Sequence, residues 1–304
     1  MCKNIVEFWL VIIAGTALFA GCNQKPAQPE NYRTEIEVWR SKRISSLKAR
    51  DGWLNLAGLY WLQEGLNTIG SDSSNSLVFP KRAPAFIGVI ERKGDSIYLL
   101  STSVPVLIGG VPSAHVKLRN DASGTPDVMM VDSLAWFIIK RGDRYGVRLR
   151  DFDNPLIDSL TAIPCFETNI RWRITAEFKP YAKPEKHQVQ TIIGSEEENM
   201  VPGELHFHAG GKNLILYPFI AENGFFLVFG DATNGSETYP AGRFLYTDAP
   251  DADNHVIIDF NRAYNPPCAF TPYATCPLPL RKNVLPIAIA AGEKTVHVFS
   301  QFHQ

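Results

Sequence analysis

The residues best suited to chemistry gather in two stretches of a 304-residue chain. The first runs from Asp231 to Arg243 and holds Asp231, Thr233, Thr238, Tyr239 and Arg243 around an Asn234-Gly235 turn. Asp231 and Arg243 lie on opposite sides of that turn, where a hairpin would let them pair. The second stretch begins at Asp259, where the apolar Val256-Ile257-Ile258 stops. It continues through Asn261, Arg262, Tyr264 and Asn265 into a segment rich in proline that carries Cys268 and Cys276. Arginine offers a planar fork for a carboxylate or phosphate. Asp and Asn supply acceptors and amide donors. Tyr264 and Tyr273 are rings that can stack on a sugar.

The candidate ligand-binding set is therefore Asp231, Thr233, Tyr239, Arg243, Asp259, Asn261, Arg262 and Asn265. Three uses compete for it. The leading expectation is one wall of a pocket for a small polar or carbohydrate-like ligand, or for a partner. The alternative chemistry is a hydrolase whose acid and base come from Asp231, Asp259 or Glu293, with Arg243 and Arg262 orienting an anionic group. Paired carboxylates cleave glycosides when their surroundings split their pKa values. The third use is structural: a long loop whose Asn and Asp side chains satisfy its own backbone. One concave pocket would favour the first two, and dispersal into internal hydrogen bonds the third.

Other constellations are weaker. His206-Phe207-His208 reads as strand, which puts both imidazoles on one face with Glu204, and Glu293 as a further ligand. Two solvent-facing histidines are the preferred reading, and no metal is expected. There is no Gly-x-Ser-x-Gly, phosphate loop, His-Glu-x-x-His or dinucleotide fingerprint, so neither a catalytic residue nor a cofactor is assigned. Lys+Arg 30 against Asp+Glu 31 leaves no basic field, which argues against nucleic acid as a partner.

The N-terminus points to the cell envelope. Met1-Cys2-Lys3-Asn4 precedes a mostly apolar run from Ile5 to Ala20, short for a membrane span and typical of a signal peptide. Leu18-Phe19-Ala20-Gly21-Cys22 resembles the lipobox of bacterial lipoproteins. The expectation is a signal peptide over 1–21, lipidation at Cys22, a polar tether over 22–30 and a membrane held through the lipid, with Asn23 pointing to the outer one. Cys268 and Cys276 are then candidates for a disulfide, with Cys165 a buried thiol.

The elements that must position these residues are mostly strands. A helix is expected over 31–50, from the spacing of Ile36, Trp39, Ile44 and Leu47, with Lys42, Arg43, Lys48 and Arg50 on a solvated basic face. From Leu54–Leu62 onward, short apolar or alternating runs are cut by turn residues. They include Gly88–Arg92, Ser96–Ser101, Leu134–Arg141, Arg144–Leu149, Arg171–Phe178, Gln188–Ile193, Gly203–His208, Gly224–Phe229, Arg243–Tyr246, His255–Asp259 and Thr295–Ser300. No βαβ rhythm appears. The fold class is mainly β, with sandwich- or barrel-like antiparallel sheets. A soft boundary near 151–164 divides an N-terminal β region, 51–150, from a C-terminal one, 165–304.

Several blocks resemble domain-of-unknown-function family 1684, an uncharacterised bacterial family. They are Asp51-Gly52-Trp53-Leu54 with Ala57-Gly58-Leu59, Asn67-Thr68-Ile69-Gly70-Ser71, Arg148-Leu149-Arg150-Asp151 and Thr238-Tyr239-Pro240-Ala241-Gly242-Arg243. The longest runs from Asp259 through Cys268, Tyr273 and Cys276-Pro277-Leu278-Pro279 to Ala291-Gly292-Glu293-Lys294. The resemblance implies membership and a shared fold, not a reaction. Thr68–Asp72 and Asn75–Pro80 are also similar to the opening of a forkhead-associated β-sandwich. The phosphate-binding Arg and Ser-Arg-x-His of that family are absent, so phosphopeptide binding is not expected.

Overall fold

A computed structural model describes residues 30–296. The expected signal segment, Cys22, nearly all of the tether and most of the Thr295–Ser300 strand lie outside the described residues. The helix spans Glu30–Lys48. Tyr32, Ile36 and Leu47 are its buried positions, at the spacing of one helical face. Arg43 lies on that inward side rather than on a solvated one: its guanidinium stands 4.5 Å from the centre of the Tyr264 ring. Arg50 stacks on Phe152 at 3.8 Å. Only part of the expected basic face is therefore free, because long cationic side chains cover aromatic surface with their stems and planes. No helix among the described residues is long and apolar enough to cross a membrane.

The rest is mainly β, in several antiparallel sheets. In the N-terminal part, Leu56–Trp61, Arg144–Asp151 and Leu134–Arg141 are neighbours in a six-stranded sheet. A five-stranded sheet centred on Gly65–Gly70, Gly88–Lys93 and Ser96–Thr102 packs against it. The alternating inward residues Trp136, Ile138, Val147 and Leu149 meet Ile69, Ile90, Ile97 and Leu99 in one apolar cluster. Turn chemistry sets the register. Arg141 pairs with Arg144 across Gly142-Asp143, and Gly142 adopts φ +57°, which its missing Cβ permits.

In the C-terminal part, the order Lys212–Leu216, Glu196–Ala209, Arg173–Gln190, His255–Asp259 forms a four-stranded sheet. Phe219–Ala221, Gly224–Phe229 and Arg243–Asp248 form a three-stranded one. Arg171–Phe178 and Gln188–Ile193, expected as two strands, merge into one strand, Arg173–Gln190. Its register shifts between Pro180 and Glu185, where proline cannot continue the ladder. Phe178, Phe207, Phe225, Phe229 and Phe260 fill the space between the two sheets.

The segment after His255–Asp259 has little regular structure beyond short 3-10 turns, yet it is buried. Phe270, Leu285, Ile289 and Ala291 point into apolar clusters. A buried loop must find partners for its polar backbone. Asn283 supplies several: its side chain accepts from the Tyr217 amide at 2.8 Å and donates to the Tyr217 and Val228 carbonyls.

Candidate functional site

The structure sorts the eight candidate residues into an enclosed group and an open edge. Asp231 and Arg243 pair across the turn, with Arg243 Nη2 2.8 Å from Asp231 Oδ2 and both side chains 0% exposed. Asp231 Oδ1 accepts from the Thr233 amide at 2.9 Å, the Thr233 hydroxyl at 2.6 Å and the Ile289 amide at 3.1 Å. Arg243 also donates to the carbonyls of Ile289 and Ala291. Burial lowers the pKa of this guanidinium, and Asp231 pulls it back up. Thr233 bonds Thr238 at 2.8 Å, and the Tyr239 hydroxyl donates to the Cys268 carbonyl at 3.3 Å. These groups tie the Asp231–Arg243 stretch to the strandless 285–293 segment. None of them presents a carboxylate to solvent.

Glu293 is enclosed as well. It follows Gly292, whose φ of +77° and close approach to the Ala263 carbonyl admit no side chain: a Cβ there would sit 2.4 Å from that oxygen. The Glu293 carboxylate accepts from the Asn265 amide at 2.7 Å and from Arg43 Nε at 3.3 Å. Burial pushes the Glu293 carboxyl up, against the pull of Arg43 and Asn265. The Asn265 side chain donates to the Lys294 carbonyl at 2.7 Å. The acid/base reading thus places two of its three carboxylates, Asp231 and Glu293, where no dissolved substrate reaches them. Their apolar surroundings and saturated hydrogen bonds hold them there.

Asp259 and Arg262 differ. Asp259 ends the strand His255–Asp259, and its Oδ1 accepts from the Asn261 amide at 3.1 Å, opening a short 3-10 turn. The same oxygen accepts from the Tyr32 hydroxyl of the helix at 2.7 Å. Burial and that carboxylate raise the Tyr32 phenol above its ordinary value. Asn261 is wholly internal: its side chain spans the backbone of Asn169 and the Tyr32 oxygen. Asp259 Oδ2, however, stands 3.6 Å from Arg262 Nε, and neither atom makes a hydrogen bond. Arg262 is 39% exposed and reaches toward Glu35 of the helix.

These two residues border a groove of about 710 Å³ between the helix and the two C-terminal sheets. Trp39, Arg173, Tyr246 and Tyr264 complete the walls that matter chemically. Phe226 and Tyr246 are cross-strand partners with stacked rings 4.8 Å apart. Tyr264 stacks on Tyr246 at 6.4 Å, and Trp39 leans on Tyr264 at 6.4 Å. Tyr246 remains 59% exposed. The groove therefore has an aromatic shelf and a polar end of Asp259, Arg262 and Arg173. Trp39 belonged to the expected helix face, and Tyr246 to an expected strand. Neither was singled out, since only the fold brings a helix, a strand pair and a loop to one groove. An exposed aromatic opposite another aromatic on a hairpin was the available signal.

The remaining candidates find local partners. His206 Nε2 lies 2.7 Å from Glu204 Oε2, whose pKa this contact lowers, and His208 Nδ1 bonds the Asn213 side chain at 3.0 Å. Glu293 is elsewhere in the fold, and no three metal-ligating side chains converge among the described residues. Cys268 and Cys276, the candidates for a bridge, lie side by side, with the Cys268 amide 3.1 Å from Cys276 Sγ. Burial pushes the Cys165 thiol up to about 11.

No curated protein matches the chain. A solved solution structure, of an uncharacterized protein from Haloarcula marismortui, is 29% identical, covering 45% of this chain and 78% of that one, with a TM-score of 0.38. Residues 158–294 match the family described as "Protein of unknown function (DUF1684)". That stretch contains the enclosed Asp231–Arg243 pair, the Asp259–Arg262 edge and Glu293. The similar blocks at 51–59, 67–71 and 148–151 lie ahead of it. The region that carries both constellations, residues 158–294, is thus the part of the chain that is similar to the DUF1684 family.

Proposed function

We propose that this chain is a lipid-anchored envelope protein that binds a small polar, carbohydrate-like ligand in the groove between the helix and the C-terminal sheets. The observation that carries the reading is the pairing of an exposed aromatic shelf with a polar end that is not saturated. Tyr246 keeps 59% of its surface open, and beside it Asp259 Oδ2 and Arg262 Nε are buried without hydrogen-bond partners. Buried polar atoms normally find partners, and a hydroxyl-rich ligand supplies both donors and acceptors. The ring faces pack against the apolar side of a sugar. The anchor rests on the sequence around Cys22.

The test is a thermal-shift panel on the full chain in detergent, containing monosaccharides, cell-wall fragments, phosphorylated metabolites and divalent metals. Arg262→Ala and Tyr246→Ala run beside wild type. A sugar or cell-wall fragment that stabilises wild type, and stabilises neither variant, supports the reading. A panel without a hit, or a hit equally strong in both variants, sinks it. The anchor is tested separately: Cys22→Ser should leave the membrane fraction.

A purely structural role is the second reading. It is favoured by the internal bonds of Asp231, Thr233, Tyr239, Arg243, Asn261 and Asn265. Under it, Arg262→Ala would lower stability and no ligand would bind.

A further inference from the structure

A second cavity, of about 540 Å³, lies where the hairpin Leu134–Arg141/Arg144–Asp151 meets the Pro267–Pro277 loop. Arg148 lines it and is 5% exposed. Its Nη2 donates to the Thr275 hydroxyl at 3.4 Å, and its Nε has no partner. No carboxylate among the described residues lies within ion-pair distance of it. The contrast with Arg243 is direct, since that buried guanidinium holds Asp231 and main-chain carbonyls. The acids nearest Arg148 are already engaged: Arg141 takes Asp121 at 2.7 Å and Glu197 at 3.5 Å.

A guanidinium does not shed its proton at neutral pH. Burial lowers the Arg148 pKa to about 10, which still leaves it charged. A buried charge without a counter-ion is unfavourable, so the site gains from an anion. The walls describe the rest of the ligand. Trp53, whose ring centre is 5.7 Å from the guanidinium, and Phe244 supply apolar surface. Glu196, Glu197 and Glu198 line the cavity together with Lys140 and Arg141, so charges of both signs surround Arg148.

We propose that this cavity binds a monocarboxylate with a compact apolar body, the carboxylate on the Arg148 fork and the body against Trp53 and Phe244. A planar carboxylate matches the fork in two parallel hydrogen bonds. A phosphate dianion has no apolar body to set against Trp53 and Phe244.

The experiment uses the full chain in detergent with cyclohexanecarboxylate, the neutral cyclohexylmethanol and inorganic phosphate as probes. The carboxylate should raise the Tm saturably, and the other two should not. Arg148→Met should raise the Tm without ligand, because it removes the uncompensated charge, and should erase the carboxylate response. A response that survives in Arg148→Met overturns the proposal, as does an equal response to cyclohexylmethanol or no saturable response in wild type. Should Arg148→Met fail to fold, wild-type tryptophan emission decides. A saturable change on adding the carboxylate that Trp53→Phe removes supports the site, and its absence overturns it.

Discussion

Asp231–Arg243 and Asp259–Arg262 use the same two residue types within one domain and come to opposite ends. In the first pair both side chains are fully enclosed, and both carboxylate oxygens and both terminal guanidinium nitrogens are matched by protein, with Arg243 Nε alone left over. In the second, the partners sit at a groove edge, 3.6 Å apart, with Oδ2 and Nε unmatched. Charge and residue identity do not distinguish a brace from a binding edge. What separates them is whether the fold has already used the hydrogen-bonding capacity of the pair. A saturated pair fixes loops to one another. An unsaturated one keeps capacity for something outside the chain.

That contrast can be broken most forcefully at Asp231. Asp231→Ala leaves a buried, unpaired guanidinium and should cost about 3–5 kcal/mol in urea unfolding, whereas an apolar double variant, Asp231→Leu with Arg243→Met, should recover much of the loss. A single-variant cost below about 1 kcal/mol would show that the pair is not enclosed. Gly292→Ala comes next. The left-handed backbone alone costs a residue with a Cβ about 1–2 kcal/mol, and the contact with the Ala263 carbonyl adds to it. A Tm drop of several degrees is expected, and an unchanged Tm would mean that the Glu293 carboxylate is not held by this close approach.

A third measurement sharpens the enclosed side through pH. Glu293 has a raised folded pKa, so its contribution to stability is fully present below its unfolded value of about 4.3 and is lost as pH rises through the folded one. Glu293→Gln removes that dependence. The Tm of the variant relative to wild type should therefore climb between pH 4 and pH 8, and a flat difference would remove the burial argument. The smallest effects on stability belong to the groove. Arg262→Ala and Tyr246→Ala should stay within about 0.5 kcal/mol of wild type, as exposed changes usually do. If Arg262→Ala instead costs as much as Asp231→Ala, the two pairs are the same kind of brace.

Much of the strand pattern was legible because turn residues mark it. Gly142-Asp143 and Gly210-Gly211 sit between apolar runs, and both hairpins form with two-residue connections. Leu134–Arg141, Gly224–Phe229 and His255–Asp259 begin and end where the alternation does. The merging of two expected strands into Arg173–Gln190 was not legible, since prolines inside a run read as breaks and here a register shift absorbs them. Short edge strands such as Val116–Leu118 and Phe219–Ala221 carry too few residues for periodicity to show. At the site, Asp231 and Arg243 were legible as a pair because a turn joins them. The groove was not, because Trp39, Arg173, Tyr246 and Arg262 are far apart in sequence and no local pattern relates them.

The sequence by itself determined the mainly β class, the N-terminal helix, the hairpins and the resemblance to DUF1684, since each rests on local periodicity, turn chemistry or a contiguous motif. Only the tertiary structure decided which polar residues are consumed and which remain open. Arg43 reads as a surface cation and lies beneath Tyr264, while Arg148 reads as one arginine of a strand and is buried without a carboxylate. The physical reason is that hydrogen-bond saturation depends on groups brought together from distant parts of the chain. Asp231 is satisfied by Ile289 and Arg243, Asp259 by Tyr32 of the helix on one oxygen alone, and neither outcome is written near the residue it governs.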